Sequence, residues 1–551
     1  MTERGGLHKS ALNKTSETDQ TSETDQISKT SETGDLLLLS SIFLIAICAL
    51  IYELIAGAVS SYLLGSSVTH FSLVIGLFLS AMGVGAYLTR FIEGELLERF
   101  VQIEMMIGLI GGTSSLSLFF AFTYAERLYM SVMVCVAGLI GALVGMEIPL
   151  IIRVLEERKG ALKLTVANVM AVDYIGSLIA SLAFPLLFVP YFGLMRTAFA
   201  FGLLNLAVAW VGIAKFRASF KRPQLNVALC ALITALLTAG FIGSGQLVSL
   251  MEEKVYPDKV IYAKDSPFQR VILTHWKQDT RLFLNGALQF SSVDEHRYHE
   301  ALVHPVMRRA KRHSDVLILG GGDGLAAREV FKHPHVQHVD LVDLDPAVTE
   351  LFSTRENLIA LNKGALNDPR LTIHNQDASR FLKASERNWD VVIIDLPDPE
   401  SFDIGRLYSV EHFAEISSRL RPGGAMVVQS TSPFFAREAF WCVGETLKHT
   451  PSVGPEGVGR LHVRPYHLNV PSFGEWGFIL ASTSDQGLKA PSDQLSPLPE
   501  TRFLTPEVEE AMFVFPKDLA QPEGVEVNRL NSQALVRYYR NSYNQFYGDR
   551  P

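Results

Sequence analysis

Seven apolar stretches fill the chain between residues 36 and 246, and each is close to the length that crosses a lipid bilayer. A spanning helix needs about 20 mostly apolar residues, whereas a helix in a soluble core is shorter and polar on one face. This half of the chain therefore predicts a multi-pass α-helical bundle in the cell (inner) membrane. The stretches lie at about 36–62, 68–92, 103–124, 127–151, 164–190, 194–214 and 225–245.

Basic residues mark alternate connections between these stretches. The connections after the second, fourth and sixth stretches are rich in Arg and Lys, whereas the others carry only Arg127 and Arg196. Because cytoplasmic loops collect positive charge, this pattern puts the amino terminus in the cytosol, and seven spans then put the rest of the chain outside.

Three acids lie inside apolar stretches, namely Glu53, Glu147 and Asp173. A charge at membrane depth is expensive, so such acids are usually functional. One interpretation is a site that binds or passes a cation. The other is a neutral acid that hydrogen-bonds between helices, and the sequence leaves both open.

The remaining segments differ in composition. Residues 1–35 contain TSETDQ twice and are predicted to be a disordered polar tail, because such a tract cannot bury apolar surface. Residues 252–300 have the pattern of short alternating strands around an Asn-Gly turn, which predicts a small β-domain. Residues 301–485 form the next domain, and residues 486–551 form a carboxyl-terminal extension.

Neither the charge nor the cysteines point to nucleic acid or metal. The net charge is −8 and no basic patch interleaved with aromatic residues stands out, so no nucleic-acid partner is expected. The four cysteines are scattered without a CxxC pair, which disfavours a disulfide framework and a metal site.

From residue 315 onward, apolar strands alternate with helical segments, which predicts a Rossmann-like, methyltransferase-type α/β domain with a parallel, doubly wound sheet. The first strand runs into GGGDG, where Gly320 and Gly322 let a ligand approach the backbone. The next strand ends at Asp343, where a carboxylate accepts hydrogen bonds from a ribose. Asp377 follows the third strand, where it can accept from an adenine amino group. The alternative is a set of solvated acids at strand ends.

The fourth strand ends in VVIIDLPDP, which carries Asp395 and Asp398. Ligands bind at the carboxyl ends of such strands, and two carboxylates this close resist joint ionisation unless a cation joins them. Together with Asp323 they predict a second substrate that is a cationic amine. The alternative is a loop whose acids and prolines only form a turn.

The run from about residue 262 to 482 resembles the polyamine aminopropyltransferases, chiefly spermidine synthase. The joint occurrence of YHE, GGGDG and the D-x-x-D of DLPD in this order is highly specific. The apolar half, with IYELIAGAVSSYLLG, looks like the membrane-embedded bacterial branch of the same family. The matching pieces are PFQRV, LNGALQFSSVDEHRYHEALVHP, LILGGGDGLAAREV, LVDLDP, NQDASRFL, VVIIDLPDP, LYSVEHF, LRPGGAMVVQSTSP and VPSFGEWGFILAS.

The resemblance implies a reaction and a set of roles. Decarboxylated S-adenosylmethionine would donate an aminopropyl group to putrescine, giving spermidine and methylthioadenosine, with Asp395 as proton acceptor and without a metal or redox cofactor. It also implies association as a homodimer or homotetramer. Because the nucleoside substrate is cytosolic, we expect the catalytic domain in the cytosol, which disagrees with the side that seven spans and the basic connections give. The nucleoside would contact Gln269, Gly320, Gly322, Asp343, Asp377 and Ala378. The amines would contact Gln289, Tyr298, His299, Asp323 and Asp398.

Some positions depart from the family pattern. Asp343 stands where many members have Glu, Thr431 where an acid is common, and Val470 where an aromatic residue is frequent. The last two fall near the acceptor side, so the identity of the amine stays open. Tyr408 matches a position near the site.

Two other functions remain open from the sequence. An S-adenosylmethionine-dependent methyltransferase shares the sheet and the glycine turn, although it does not need the YHE motif and the acid pair together. A polyamine transporter or sensor with a non-catalytic nucleoside-binding domain would account for the acids inside the apolar stretches.

Overall fold

The computed structural model describes residues 40–61, 63, 67–159, 162–256, 258–454, 457–490 and 494–547. The chain divides into two compact units, with the boundary between Met251 and Glu252. The predicted disordered tail, residues 1–35, lies outside the described residues.

The described part of the first unit is built of helices. They are α1 (Ser40–Ser61), α2 (Ser67–Leu88), α3 (Leu96–Gly112), α4 (Ser114–Tyr124), α5 (Tyr129–Lys159), α6 (Leu162–Ala183), α7 (Val189–Phe216) and α8 (Pro223–Val255).

Glycines allow α2 and α5 to pack with their backbones close together. A Cβ added to Gly85 would lie 1.9 Å from the carbonyl oxygen of Ala142, and one added to Gly145 would lie 2.1 Å from that of Met82. The glycines of these two helices therefore let their backbones approach closely.

Helices α6 and α7 form a hairpin. A π-helical segment (Phe184–Phe188) follows α6, and the helical run breaks at Gly193, which has φ 71° and ψ 170°. The ring centroids of Phe188 and Phe201 lie 4.9 Å apart. A straight helix would separate two residues at that spacing by about 20 Å, so the chain reverses direction at Gly193.

Five helical runs among the described residues are long and apolar enough to cross a membrane, and the bent pair α3–α4 would be a sixth. One of the five is the 54-residue run Val166–Ser219, which the break at Gly193 divides into two halves. Each half exceeds the roughly 20 residues that a span requires. The helices therefore occupy the positions of the apolar stretches.

The basic connections meet at one end of the helical unit. The Arg153 guanidinium donates to the carbonyl oxygen of Thr89 at 3.0 Å, which joins the end of α5 to the end of α2. The Glu98 carboxylate accepts from the Lys221 N–H and the Asn226 amide, both at 2.7 Å, which joins α3 to the α7–α8 connection. The alternate connections of the sequence thus share one side of the unit.

The second unit begins with a four-stranded antiparallel meander. A two-residue turn joins β3 and β4, with φ 50° at Asn285 and 84° at Gly286, as the Asn-Gly pair predicts. The strands are β1 (Lys259–Asp265), β2 (Arg270–Trp276), β3 (Asp279–Leu284) and β4 (Ala287–Ser291).

A seven-stranded sheet follows, in the order β12-β13-β9-β8-β5-β6-β7. The five strands from β9 to β7 are parallel, whereas β12 and β13 are antiparallel. A sheet that is parallel throughout was expected, but only three residues join β12 to β13, and so short a connection requires antiparallel strands. The strands are β5 (Asp315–Gly320), β6 (His338–Asp343), β7 (Leu371–Asn375), β8 (Trp389–Asp395), β9 (Leu420–Gln429), β12 (His462–Val470) and β13 (Gly474–Ser482), with a separate hairpin of β10 (Pro451–Gly454) and β11 (Gly457–Arg460).

Helices cover both faces of this sheet. The predicted domain boundary at residue 300 falls inside α9 (Glu295–Arg309), which is one helix across that point. The carboxyl-terminal extension also contributes to the core, since Leu504 and Met512 pack on one face of the sheet and Leu535 on the other. The helices are α9 (Glu295–Arg309), α10 (Leu325–Val330), α11 (Pro346–Thr354), α12 (Glu356–Asn362), α13 (Ala378–Ala384), α14 (Phe402–Gly405), α15 (Val410–Ser418), α16 (Arg437–Lys448), α17 (Asp485–Leu488), α18 (Pro506–Ala511) and α19 (Ala534–Tyr547).

Candidate active site

The glycine turn after β5 packs against the ends of the two neighbouring strands. Gly320 has φ +86°, and a Cβ there would lie 2.0 Å from the carbonyl oxygen of Asp395. A Cβ on Gly322 would lie 2.5 Å from the Asp343 carboxylate, which accepts from the Gly322 N–H at 3.0 Å. Only glycine fits both positions, and the turn therefore holds two of the predicted site acids at one edge of the sheet.

The two acids that follow β6 have different partners. Asp345 is fully buried, where it caps α11 by accepting from the Ala347 N–H at 2.9 Å and accepts from the Ser266 hydroxyl at 2.7 Å. Asp343, the last residue of the strand, is only partly buried beside the glycine turn, and desolvation raises its pKa to about 6. Asp345 is thus occupied by structural contacts, which leaves Asp343 as the carboxylate that a ligand at the turn can reach.

The turn between β1 and β2 is fastened to this edge by Ser266. The hydroxyl oxygen that bonds Asp345 also accepts from the Gln269 N–H at 3.0 Å and lies 2.9 Å from the Gln269 carbonyl oxygen. Gln289 is placed differently, because its amide donates to the Ala287 carbonyl oxygen of its own strand at 3.1 Å. The structure therefore brings Gln269 to the edge that carries the acids, whereas the described hydrogen bond of Gln289 is local.

Asp377 caps the amino terminus of α13, which Ala378 begins. Its carboxylate accepts from the Arg380 N–H at 3.0 Å and pairs with the Arg406 guanidinium at 2.5 Å. Partial burial alone would raise the pKa of Asp377, but these two contacts lower it below its usual value. Asp377 is therefore an ionised acceptor that Arg406 holds in place.

Tyr298 and Asp395 form the centre of the site. The Tyr298 hydroxyl donates to Asp395 Oδ1 at 2.6 Å, and the phenol ring packs against Phe473, Trp476 and Phe478. Desolvation raises the pKa of Asp395 above its usual value, although the Tyr298 bond and the nearby charge of His299 act in the opposite direction. The pair thus presents a carboxylate against an aromatic wall.

His299 is buried and bonded to Glu295. Its Nδ1 lies 2.9 Å from the Glu295 carbonyl oxygen and 2.8 Å from Oε2, while Arg328 holds the same carboxylate at two points, 2.9 and 2.8 Å away. Burial alone would lower the pKa of His299, but the bond to Glu295 raises it to about 9, and the same contacts lower the pKa of Glu295 to about 2. His299 is therefore a cation at neutral pH.

Asp323 is nearly buried at the end of the glycine turn. Its Oδ1 accepts from the Leu325 N–H at 2.9 Å, and Asn362 holds its backbone oxygen at 3.0 Å. Desolvation raises the pKa of Asp323 to about 6, against the lowering effect of the His299 charge. The structure thus brings Asp323 and His299 into one electrostatic neighbourhood with Asp395.

Asp398 is held by side chains from two distant segments. Its Oδ2 accepts from the Thr431 hydroxyl at 3.1 Å and from the Tyr539 hydroxyl at 3.0 Å, and Gln429 Nε2 lies 3.4 Å from Oδ1. Desolvation raises its pKa to about 6. Thr431 has φ 58°, which is rare for a β-branched residue and is characteristic of functional sites. The position where the family pattern breaks is therefore a direct partner of a site acid.

Tyr408 fixes the loop that carries Asp398. It is fully buried, and its hydroxyl contacts the carbonyl oxygens of Leu396 at 3.2 Å and Pro397 at 3.0 Å and accepts from Gln429 at 3.0 Å. Tyr408 thus shapes the site through the backbone of the loop.

Sequence reasoning missed several members of the site. Tyr539 lies in the extension, 141 residues from Asp398, and no local pattern marks it. Glu295 lies within the matching piece LNGALQFSSVDEHRYHEALVHP, yet only the structure shows that Glu295 and Arg328 together fix the charge of His299. The third residue of YHE, Glu300, has a structural role, because its carboxylate accepts from three successive backbone N–H groups of the extension.

Comparison with known proteins identifies the family. Residues 295–492 match the family described as Spermine/spermidine synthase domain. Polyamine aminopropyltransferase 2 of Ralstonia nicotianae is 45% identical over 93% of this chain and 98% of its own length, and Polyamine aminopropyltransferase of Leptospira interrogans is 42% identical over 92% of this chain and 98% of its own length. A solved spermidine synthase in complex with the transition-state analogue AdoDATO aligns with a TM-score of 0.41 and 26% identity, covering 47% of this chain and 88% of its own.

The curated relatives match the chain along nearly its whole length, including the helical unit. The chain therefore belongs to the polyamine aminopropyltransferases, as its motifs predicted. It is a transferase of polyamine biosynthesis, and family membership selects aminopropyl transfer over the methyltransferase alternative.

Proposed function

We propose that this protein transfers the aminopropyl group of decarboxylated S-adenosylmethionine to putrescine, giving spermidine and methylthioadenosine. The observation that carries the proposal is the grouping of Asp323, Asp395 and Asp398 beside a glycine turn that already has its own acid. A nucleoside needs only one or two acceptors, whereas a diamine with two positive charges is matched by several carboxylates.

The donor nucleoside would lie along the edge formed by the glycine turn and the ends of β6 and β7. Asp343 would accept from the ribose hydroxyls, while Asp377 and Ala378 would face the adenine. Gln269 would close the pocket from the β1–β2 turn, which Ser266 holds against Asp345. Asp343 replaces the longer glutamate of other members. The Asp343 carboxylate accepts from the Gly322 N–H, which keeps this side chain close to the turn.

The chemistry is a displacement at the carbon next to the sulfonium. The amine nitrogen attacks, a C–N bond forms, and the C–S bond breaks with its electron pair going to sulfur, so methylthioadenosine leaves uncharged. Atoms and electrons balance without an oxidant or reductant, and the sulfonium already provides a good leaving group. Positioning two cationic partners in an acidic cleft supplies the acceleration.

The amine arrives protonated, because the pKa of a primary amine is about 10, and it must lose a proton before it attacks. We assign the acceptor of that proton to Asp395. Tyr298 occupies Oδ1 of Asp395 and leaves the other oxygen for the nitrogen. Because desolvation raises the pKa of Asp395, its carboxylate is a stronger base than one in water.

The far ammonium of the diamine needs its own acid. Asp323 and Asp398 are the candidates, and Tyr298 and His299 would complete the pocket, with Gln289 at its margin. The positive charge of His299 favours ionisation of Asp323 and Asp395 although both are desolvated. The site can therefore hold two carboxylates ready before the amine arrives.

Replacement of Asp395 tests this function. The Asp395→Asn variant should lose turnover by about 10²–10⁴-fold, since it removes the base, while its affinity for methylthioadenosine stays within about twofold of the wild type. Triamine formation and nucleoside binding are measured on the purified full chain in detergent. Asp403→Asn, at an exposed acid of α14, is the control and should leave both unchanged. Normal turnover by Asp395→Asn would remove Asp395 from this role, and no triamine from the wild type would reject the function.

We further propose that the helical unit is embedded in the cell membrane and that the catalytic unit faces the cytosol. Large apolar side chains are exposed on the helices, among them Ile242 at 76% and Leu186 at 72%. In water such a surface would drive association, whereas lipid solvates it. The cytosolic placement rests on the source of the donor nucleoside.

A further inference from the structure

Four polar side chains meet in the interior of the helical unit, each from a different helix. Tyr52 of α1, Glu104 of α3, Glu147 of α5 and Asn205 of α7 are all at most 1% exposed. The Asn205 amide donates to Glu104 Oε2 at 3.0 Å, and the Glu147 carboxyl lies within hydrogen-bonding range of the Glu104 carboxyl. Glu147 is one of the acids predicted to lie inside an apolar stretch, whereas Glu104 was missed.

Tyr52 is directed into the same cluster. Its ring packs on Gly111, two turns along α3 from Glu104, where a Cβ would come within 2.6 Å of the ring. Its hydroxyl interacts electrostatically with both carboxyl groups. Two further acids of the apolar stretches, Glu53 and Asp173, are only partly buried, and Asp173 interacts electrostatically with Glu147.

With its carboxyl groups ionised, the cluster contains more acceptors than donors. Within the described residues, Glu104 Oε1, Glu147 Oε1, Asn205 Oδ1 and Tyr52 Oη have no hydrogen-bond partner. Buried polar atoms are nearly always paired, and an unpaired one costs about 1–3 kcal/mol. Asn205 Oδ1 can only accept, and each Glu oxygen accepts when its carboxyl group is ionised, so the partner that would complete an ionised cluster is a donor.

The chemistry of the cluster narrows the kind of donor. All four unpaired atoms are oxygens, two belong to carboxyl groups, and neither carboxyl group has a Lys, Arg or His partner in the described part of the chain. No group of three or more metal-ligating acids, cysteines or histidines occurs there either, which disfavours a divalent metal. A primary ammonium group has three N–H donors and one positive charge.

We propose that the helical unit binds a primary ammonium group at Glu104 and Glu147, in a site separate from the active site. The proposal rests on the proposed function, because the acceptor diamine and the triamine product both carry such groups. It gives the acids within the apolar helices a ligand that the catalytic unit consumes or makes.

The test counts bound amines on the full chain in detergent. Equilibrium dialysis with labelled putrescine, and separately with labelled spermidine, should give about two amines per wild-type chain for at least one of them. The Glu104→Gln/Glu147→Gln variant should bind about one amine per chain. Tyr52→Phe should weaken binding at the proposed ammonium site. The amine that shows two sites identifies substrate or product as the ligand.

Two controls separate this site from the catalytic one. Glu53→Gln, at a partly buried acid adjacent to Tyr52, should keep both sites, and the double variant should keep transferase turnover within about twofold, which also shows that it is folded. If the wild-type chain binds only one amine, or the double variant still binds two, the ammonium site is overturned. Normal turnover in the same experiment would still uphold the proposed function. Absence of triamine formation in the wild type would instead reject the proposed function, whatever the amine count.

Discussion

The pKa values of the site acids link pH to amine recognition. Desolvation raises the pKa of both Asp323 and Asp398 to about 6, so a large fraction of each is protonated in mildly acidic solution. A protonated carboxyl group no longer balances the charge of an ammonium. His299, with a pKa of about 9, stays cationic over the same range and does not contribute to the change.

We expect kcat/KM for putrescine, measured at saturating donor, to fall as the pH decreases through about 6. The contribution of these groups to the free energy of unfolding should change in the opposite direction and increase as the pH decreases. The folded-state pKa lies above the usual value of about 4, so these groups stabilise the fold at low pH and that contribution is lost as the pH rises from about 4 to 6. A rate profile and a thermal-unfolding series on the same preparation check both signs. A flat kcat/KM profile down to pH 5 would contradict the assignment of these acids to the amine.

Helix α19 supplies a side chain to the site from outside the matched family domain. The Tyr539 hydroxyl donates to Asp398, whereas its neighbour Tyr538 turns away and contacts Glu526. Asn528 anchors the preceding segment by donating to the carbonyl oxygens of Gly405 and Tyr408. The extension is therefore placed to influence which amine the site accepts.

Tyr539→Phe removes one hydrogen bond to Asp398, and we expect KM for putrescine to rise about three- to tenfold with kcat less affected, as the loss of about 1 kcal/mol of binding implies. The preference between putrescine and longer amines should shift as well. Tyr538→Phe is the matched control and should leave both constants unchanged. Equal effects of the two changes would show that α19 acts only by stabilising the fold.

The packing of α2 on α5 makes a further prediction. A Cβ on Gly85 would lie 1.9 Å from the Ala142 backbone, whereas one on Gly83, two residues earlier, meets nothing within 4 Å. Gly85→Ala should therefore lower the midpoint of thermal unfolding in detergent by several degrees, and Gly83→Ala should leave it unchanged or slightly higher. Identical midpoints for the two variants would mean that the helices are not in this close contact.

Elements were predicted well from the sequence where the pattern is local. Alternation of apolar strands and helices gave the α/β unit, and the Asn285–Gly286 pair gave the turn of the small sheet. The antiparallel edge was missed because the periodicity of β12 and β13 does not encode their direction. The contact of Tyr539 with Asp398 was missed for a related reason, since only the folded chain brings residues so far apart in sequence together.

At the scale of the whole molecule, the charges of the helical unit and the chemistry of the catalytic unit make opposite demands. The basic connections meet at one end of the helices, and in the proposed membrane topology α8 is the helix that crosses the bilayer between the basic α7–α8 connection and the catalytic unit. The positive-inside tendency would then put the catalytic unit outside the cell, away from its nucleoside substrate. Because loop charge biases orientation without fixing it, the need for a cytosolic donor is the stronger argument.

We therefore expect a green fluorescent protein fused after residue 551 to fluoresce, since it folds in the cytosol, and an alkaline phosphatase fused at the same point to be inactive. Fusions in the α7–α8 connection lie at the basic end of the helices. They should give the opposite pair of signals if α8 crosses the membrane between the two fusion points. Active phosphatase after residue 551 would place the catalytic unit outside, and the donor would then have to be exported to reach it. The same signal at both positions would mean that α8, which lies between the two fusion points, does not cross the membrane.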